Sequence, residues 1–211
     1  MEIIFEQQYL ADLYYTGKTS DKKHRFQPQI IRKYIRTIDI LESVNGIEEL
    51  FKFNSLNYEV LQGDKKGLES VRVNAQYRIE FKTQKVSSDV IFTICNIVEL
   101  STTINANNMA QLGFAAIPTH PGEVIKDEIE YRKISQRSLA NRIDISPTVL
   151  NEILNARRPL TPNTALLIEA ALDIPADSLM HIQLKYNMHI ARQDKTLLQR
   201  LAKIKNVAAI L

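Results

Sequence analysis

Arg72 and Arg78 are the first residues in this chain that point to chemistry. They lie in two stretches, LESVRV (68–73) and YRIEFK (77–82), where apolar and polar residues alternate around Asn74-Ala75-Gln76. That pattern predicts a hairpin. With the turn centred on Ala75, Val73 faces Tyr77, Val71 faces Ile79, and Arg72 falls opposite Arg78. Both arginines then share the face away from the apolar pairs. Side-by-side guanidiniums could hold an anion, and Lys65 and Lys66 in QGDKKG would add charge to the same rim. Glu59, Glu69 and Glu80 are near enough in sequence to neutralise the cations instead. An anion site and an internally compensated sheet face are both open.

A second stretch could do recognition rather than catalysis. Residues 135–158, SQRSLANRIDISPTVLNEILNARR, read as two short helices joined by a tight turn. Ser135 caps the first, which buries Leu139, Ala140 and Ile143. Ser146 caps the second, Pro147 starts it, and Leu150, Ile153 and Leu154 are its buried side. A serine cap accepts from a backbone N–H that has no helical partner, and proline at the first position removes no needed donor. Two helices of this length and spacing fit a helix-turn-helix reader of the DNA major groove. Pro147, Thr148, Val149, Asn151 and Glu152 would face the bases, with Gln136, Arg157 and Arg158 on phosphates. The apolar spacing by itself also fits a small helical bundle.

Elements on either side must position these residues. EIIFE (2–6) suggests a strand and residues 9–15 a short helix. The loop at 16–28 contains Gly17-Lys18-Thr19 but lacks the upstream glycine of a phosphate-binding loop. In 30–41 the apolar residues Ile30, Ile31, Tyr34, Ile35, Ile38 and Leu41 recur at helical spacing, leaving Lys33, Arg36 and Asp39 largely off the stripe. VIFTICNIVEL (90–100) is apolar on both faces and suits an interior strand. After a polar stretch, Pro121 opens a helical region in which Val124, Ile125, Ile129 and Tyr131 can pack. Thr161 caps a helix started by Pro162, with Ala165, Leu166, Ile168, Ala171 and Leu172 as its buried side, and 179–190 is helical again. Residues 195–211 have an amphipathic pattern suited to covering a dimer contact or the other domain.

Charge separates the two halves. Residues 1–108 hold 14 basic and 14 acidic side chains and residues 109–211 hold 13 and 10, so the net +3 sits wholly in the second half. That suits a DNA partner. Hydrophobic content of 45% and charged content of 24% are those of a soluble globular protein. Cys95 is the single cysteine, which excludes an intrachain disulfide and a cysteine metal cluster. His120 lacks a second ligand at useful spacing, and His181 and His189 read as structural, so no metal and no cofactor are expected. With no signal peptide and no apolar run long enough for a membrane span, a cytoplasmic location is expected.

The segment LQGDKKGLESVRVNAQYRIEF, with the strand and helix before it, resembles the HigB branch of the RelE-type toxins over roughly residues 1–101. The resemblance implies a small α+β protein that enters the ribosome and cuts mRNA. Arg72 and Arg78 would bind RNA phosphate or stabilise transition-state charge, and Lys65 and Lys66 would hold the backbone. Members commonly end their last strand in Asp-Tyr-His, where this chain has Glu99, Leu100 and Ser101. Gln62 stands where a lysine is usual. Leucine transfers no proton and serine is a poor acid near neutral pH, so weak or absent RNA cleavage is expected.

The segment from THPGEVIKDEI to NMHIAR resembles HigA antitoxins of the XRE helix-turn-helix class over roughly residues 117–192. That resemblance implies a dimer that binds operator DNA and represses its own operon. Ala156 departs from the family's usual glycine after Asn155, which predicts either a strained helix end or a left-handed Asn155. The chain thus reads as an α+β domain (1–101), helices packed on an antiparallel sheet, then a linker (102–116) and an all-α helix-turn-helix domain (117–211). The expected function is a fused toxin–antitoxin protein acting as a homodimeric transcriptional repressor, its toxin half inactive or degenerate. An mRNA endoribonuclease restrained by its tethered partner, with ribosome or mRNA as ligand, and a toxin-like interaction scaffold are the alternatives.

Overall fold

A computed structural model describes residues 1–87, 91–102 and 118–208. The chain begins with β1 (Glu2–Phe5) and α1 (Gln8–Thr16), which stops at Gly17. There φ is 70° and the glycine N–H donates to the Leu13 carbonyl, a left-handed helix end that glycine adopts without steric cost. α2 (Pro28–Ser43) starts at a proline, and α3 (Ile47–Leu50) follows. β2 (Glu59–Val60), β3 (Glu69–Arg72), β4 (Tyr77–Ser87) and β5 (Ile91–Thr102) complete the first half.

These strands form one sheet in the order β1-β5-β4-β3-β2. The hairpin has the expected register, with Val71 opposite Ile79 and Arg72 opposite Arg78. Its turn is closed by Asn74, whose Oδ1 accepts from the backbone N–H of Gln76 and of Tyr77, both at 2.8 Å. β2 to β5 pair antiparallel, but β1 lies parallel to β5 with Ile3 opposite Cys95. The sheet is therefore mixed rather than antiparallel throughout. The chain lays down one edge, covers a face with α1 and α2, and builds inward from the other edge, so β1 and β5 run the same way. Val71, Ile79, Phe81, Ile97 and Leu100 are buried on that covered face, in one apolar cluster with Leu10, Leu13, Tyr34, Ile38 and Leu41.

The second half is helical: α4 (Pro121–Tyr131), α5 (Gln136–Arg142), α6 (Pro147–Leu154), α7 (Pro162–Leu172), α8 (Ala176–Gln193) and α9 (Lys195–Ala208). Side chains cap five of these starts: His120, Ser135, Ser146, Thr161 and Asp194 each accept a backbone N–H. Two expected core residues are exposed instead. Tyr131 is the last residue of α4, in line with Val124 but two turns further on at the open end of the helix, and Leu166 lies about 100° around α7 from the buried line of Ala165, Ile168 and Leu172. On α9, Leu198, Leu201 and Ile204 are exposed, so this helix does not cover the first half. Of the linker expected at 102–116, Thr102 ends β5 and residues 103–116 fall outside the described residues.

The apolar cluster runs without a break from the sheet side into the helical half. α2 carries the join. Beyond its apolar stripe it has a second working face: Arg36 and Asp39, expected off the packed side, are covered by α4 and α8. Asp39 is 2% exposed.

Candidate nucleic-acid interfaces

α5 and α6 form the helix-turn-helix. Ser135 Oγ accepts from the N–H of Ser138 at 3.1 Å and Ser146 Oγ from that of Thr148 at 3.3 Å. Leu139, Ala140, Leu150, Ile153 and Leu154 are buried as their spacing requires. Ser146, Pro147, Thr148 and Asn151 are exposed along α6, while Gln136, Val149 and Glu152 are half-buried and Val149 packs on the core. Asn151 Nδ2 donates to Gln136 Oε1 at 3.2 Å, joining the two helices by their outward polar groups. Arg157 and Arg158 are both exposed, but Arg158 Nε donates to Glu152 Oε2 at 2.7 Å and is already partnered. Ala156 takes the left-handed conformation itself, at φ 56°, and Asn155 does not (φ −105°). The strained helix end is the outcome realised here.

One glycine that sequence reasoning passed over fixes how α6 is held. A Cβ on Gly122, in the first turn of α4, would lie 1.9 Å from the carbonyl oxygen of Ile153 in α6. Only a residue without a side chain lets α4 and α6 approach this closely. A glycine inside a helix start is the signal that could have shown it. His120 just before it is 1% exposed, and its Nδ1 accepts from the Gly122 N–H at 3.1 Å. Burial holds the imidazole below its usual pKa, partly opposed by Glu123. The described residues contain no group of His, Cys, Asp and Glu able to hold a metal ion.

On the sheet's other face the cations are largely answered by acids. Arg78 makes an ion pair with Glu59 at 2.6 Å and donates to Ser70 Oγ and the Asn57 carbonyl. Lys65 Nζ lies 2.6 Å from Glu80 Oε1, on a carboxylate that is only 6% exposed. Glu69 accepts from Tyr58 and Thr83. Arg72 Nε donates to the Asn74 carbonyl at 3.1 Å, and the residue borders a cleft of about 260 Å³ whose wall includes Asp127 and Glu130 of α4. Lys66 is exposed.

His24, unplaced by sequence, stacks on Tyr9 with centroids 3.8 Å apart, and its Nδ1 is 2.7 Å from Asp21 Oδ2. Burial raises the Tyr9 hydroxyl to about 12, opposed by the Leu100 backbone near the end of β5.

Comparison with known proteins assigns both halves. The family model for RelE-like toxins of the type II toxin–antitoxin system HigB matches residues 3–94, and a helix-turn-helix model matches 125–179. Toxin HigB-1 of Vibrio cholerae is 32% identical over 83 residues, which are 39% of this chain and 83% of that protein. Virulence-associated protein I of Dichelobacter nodosus is 34% identical over 77 residues, 36% of this chain and 71% of the relative. Among solved structures, Pseudomonas aeruginosa antitoxin HigA with the higBA promoter is 29% identical over 35% of this chain and 82% of its own, at a TM-score of 0.34.

The chain belongs to the HigB toxin family. Its HigB-like half is followed by a helix-turn-helix domain. Within the HigB-like half the sheet alternation sorts the three residues at the end of β5. Glu99 is exposed and Ser101 half-buried, paired with Glu80 and Arg78 respectively. Leu100 is 4% exposed and paired with Ile79 on the covered face. Its side chain belongs to the core and not to the face that carries the arginines. No described helix is long and apolar enough to cross a membrane.

Proposed function

We propose that this protein is a cytoplasmic DNA-binding repressor of its own operon, in which the HigB-like half (1–101) does not cut RNA and the linked second half (117–211) reads the operator. The observation that carries this reading is the outward side of α6: capped, packed from behind through Gly122, and exposing Pro147, Thr148 and Asn151. Gln136 and Arg157 flank it as phosphate contacts, and such a pair of helices in a two-fold dimer reads half-sites about 34 Å apart. The inactive toxin half is supported by the pairing of Arg78 with Glu59 and of Lys65 with Glu80, which leaves Lys66 and Arg72 as the less compensated cations. In the Arg72 cleft, Asp127 and Glu130 offset the cations Lys33, Arg36 and Arg72, and Asp127 is paired with Arg36. A footprint on DNA upstream of the coding region tests the reading. Protection of two half-sites that fades with added salt supports it, and an unprotected upstream region with unselective binding overturns it.

A restrained endoribonuclease is the second reading, favoured by the Asp21–His24 pair stacked on Tyr9 beside the end of β5. Cleavage of ribosome-bound mRNA by the full chain, lost in His24→Ala, is the result that would establish it.

A further inference from the structure

Arg36, Asp39 and Glu42 of α2 each meet a complement in the helical half. Arg36, 13% exposed at its side chain, is paired with both Glu123 and Asp127 of α4. Although burial opposes its charge, Asp127 and Glu123 raise its pKa above the usual value. Asp39, 1% exposed at its side chain, accepts from Lys185 of α8 at 2.7 Å, from the Thr119 N–H at 3.2 Å and from the Tyr14 hydroxyl at 2.9 Å. Lys185 also pairs with Glu42. A third node is Glu128 of α4, fully buried, which accepts from the Ser55 N–H at 2.8 Å and from Arg132 at 3.0 Å. Arg132 in turn donates to the carbonyls of Lys52 and Leu172.

Arg36 and Lys185 find their ion-pair partners wholly in the opposite half, and Asp39, Glu128 and Arg132 each take at least one partner from it. Separated, the halves would return an arginine, a lysine and several carboxylates to water and expose part of a shared apolar cluster. Charges held this way fix one arrangement more than they add stability, because a buried pair only roughly repays its own desolvation. The order of layers matters too. α2 grips α4 from one side through Arg36, and α6 rests on α4 from another through Gly122. The exposed residues of α6 lie outside the grip.

From this we infer that the HigB-like half is a fixed structural part of the DNA reader, with Arg36 and Lys185 as positioning residues that hold α4 and α8, and through α4 the recognition helix. The inference deepens the repressor reading and rests on it for its DNA readout, while its unfolding readout needs no DNA. The full chain unfolds in a single cooperative transition that includes both halves. Arg36→Met and Lys185→Met weaken operator binding by about tenfold, within the range of ordinary coupling between sites, although neither residue touches DNA. Arg36→Lys and Lys185→Arg keep binding within a few-fold of the parent.

The experiment measures binding to the footprinted DNA by fluorescence anisotropy, with circular dichroism melts of the same full-length variants. Should Lys185→Met fail to fold, Asp39→Asn combined with Lys185→Met removes both partners and restores folding with weakened binding. A parent chain that melts in two separate transitions overturns the inference. So do methionine variants that bind DNA like the parent. A parent that binds no DNA but melts as one unit, with both methionine variants splitting that melt, sinks the repressor reading and leaves the fixed junction standing.

Discussion

The reading helix and the arginine face of the sheet differ in how their polar groups are satisfied. On α6 the backbone donors are answered by caps and the apolar side by the core, while Pro147, Thr148 and Asn151 remain exposed. On the sheet face, Glu59 and Glu80 of the same half answer Arg78 and Lys65. A surface that binds something else keeps its recognition groups available. A surface that has turned structural closes its charges on itself. By that measure Thr148 and Arg157 are the open groups of the helix-turn-helix, because Asn151 bonds Gln136 and Arg158 pairs with Glu152.

The sharpest way to break this contrast is at the support of the reading helix. Gly122→Ala forces a methyl onto the Ile153 carbonyl. It should cost at least about 1–3 kcal/mol and abolish operator binding, checked by a melt and a gel shift. The sheet face is tested by Leu100→Tyr. Because that side chain points into the core, the tyrosine should cost about 1–3 kcal/mol by overpacking and restore no RNA cleavage. On α6, Asn151→Ala should weaken operator binding about tenfold, in line with roughly 1–3 kcal/mol for a good base contact, with little change in melting temperature. A smaller gain should come from Ala156→Gly. Relieving a left-handed alanine is worth about 1 kcal/mol and should raise the melting temperature without altering the DNA sequence preferred.

The smallest effect expected is in pH. Burial depresses the His120 pKa from 6.5, so the unfolded chain takes up this proton first as the solution is acidified. The stability this group provides is present above about pH 6.5 and is lost as pH falls through that value towards the folded pKa. Protonation also ends acceptance by Nδ1 at the start of α4. Asparagine caps without titrating, so His120→Asn should lose less melting temperature between pH 7 and pH 5 than the parent does.

Local rules made much of this legible. The hairpin register around Asn74 and the caps at Ser135, Ser146 and Thr161 follow from short-range patterns, and all are present as read. What the sequence hid is tertiary. Arg36 and Asp39 stand off the apolar stripe of α2, and nothing local says that a second layer will cover them. Leu166 falls outside the buried line of α7, and Tyr131 is in line with Val124 but at the exposed end of α4. His120 reads as a lone histidine until Gly122 is seen two residues on, its N–H donating to the ring. The pairings Arg78–Glu59 and Lys65–Glu80 were among the open alternatives, and only folding brings the partners together.

The parallel contact between β1 and β5 has a consequence in time. The first strand waits for a partner at residues 94–97, so the sheet closes only once nearly half the chain has been made. The α8 lysine that grips α2 arrives later still. At about 5–20 residues per second, translation from the end of β5 to the end of α8 takes on the order of 5 to 20 s. Throughout that interval the newborn HigB-like half lacks Lys185 and the other helical residues on which α2 packs. On the repressor reading proposed above, the absence of RNA cleavage during synthesis rests on the sheet itself, on Leu100 turned inward and on carboxylates placed beside the cations, and not on the helices that follow.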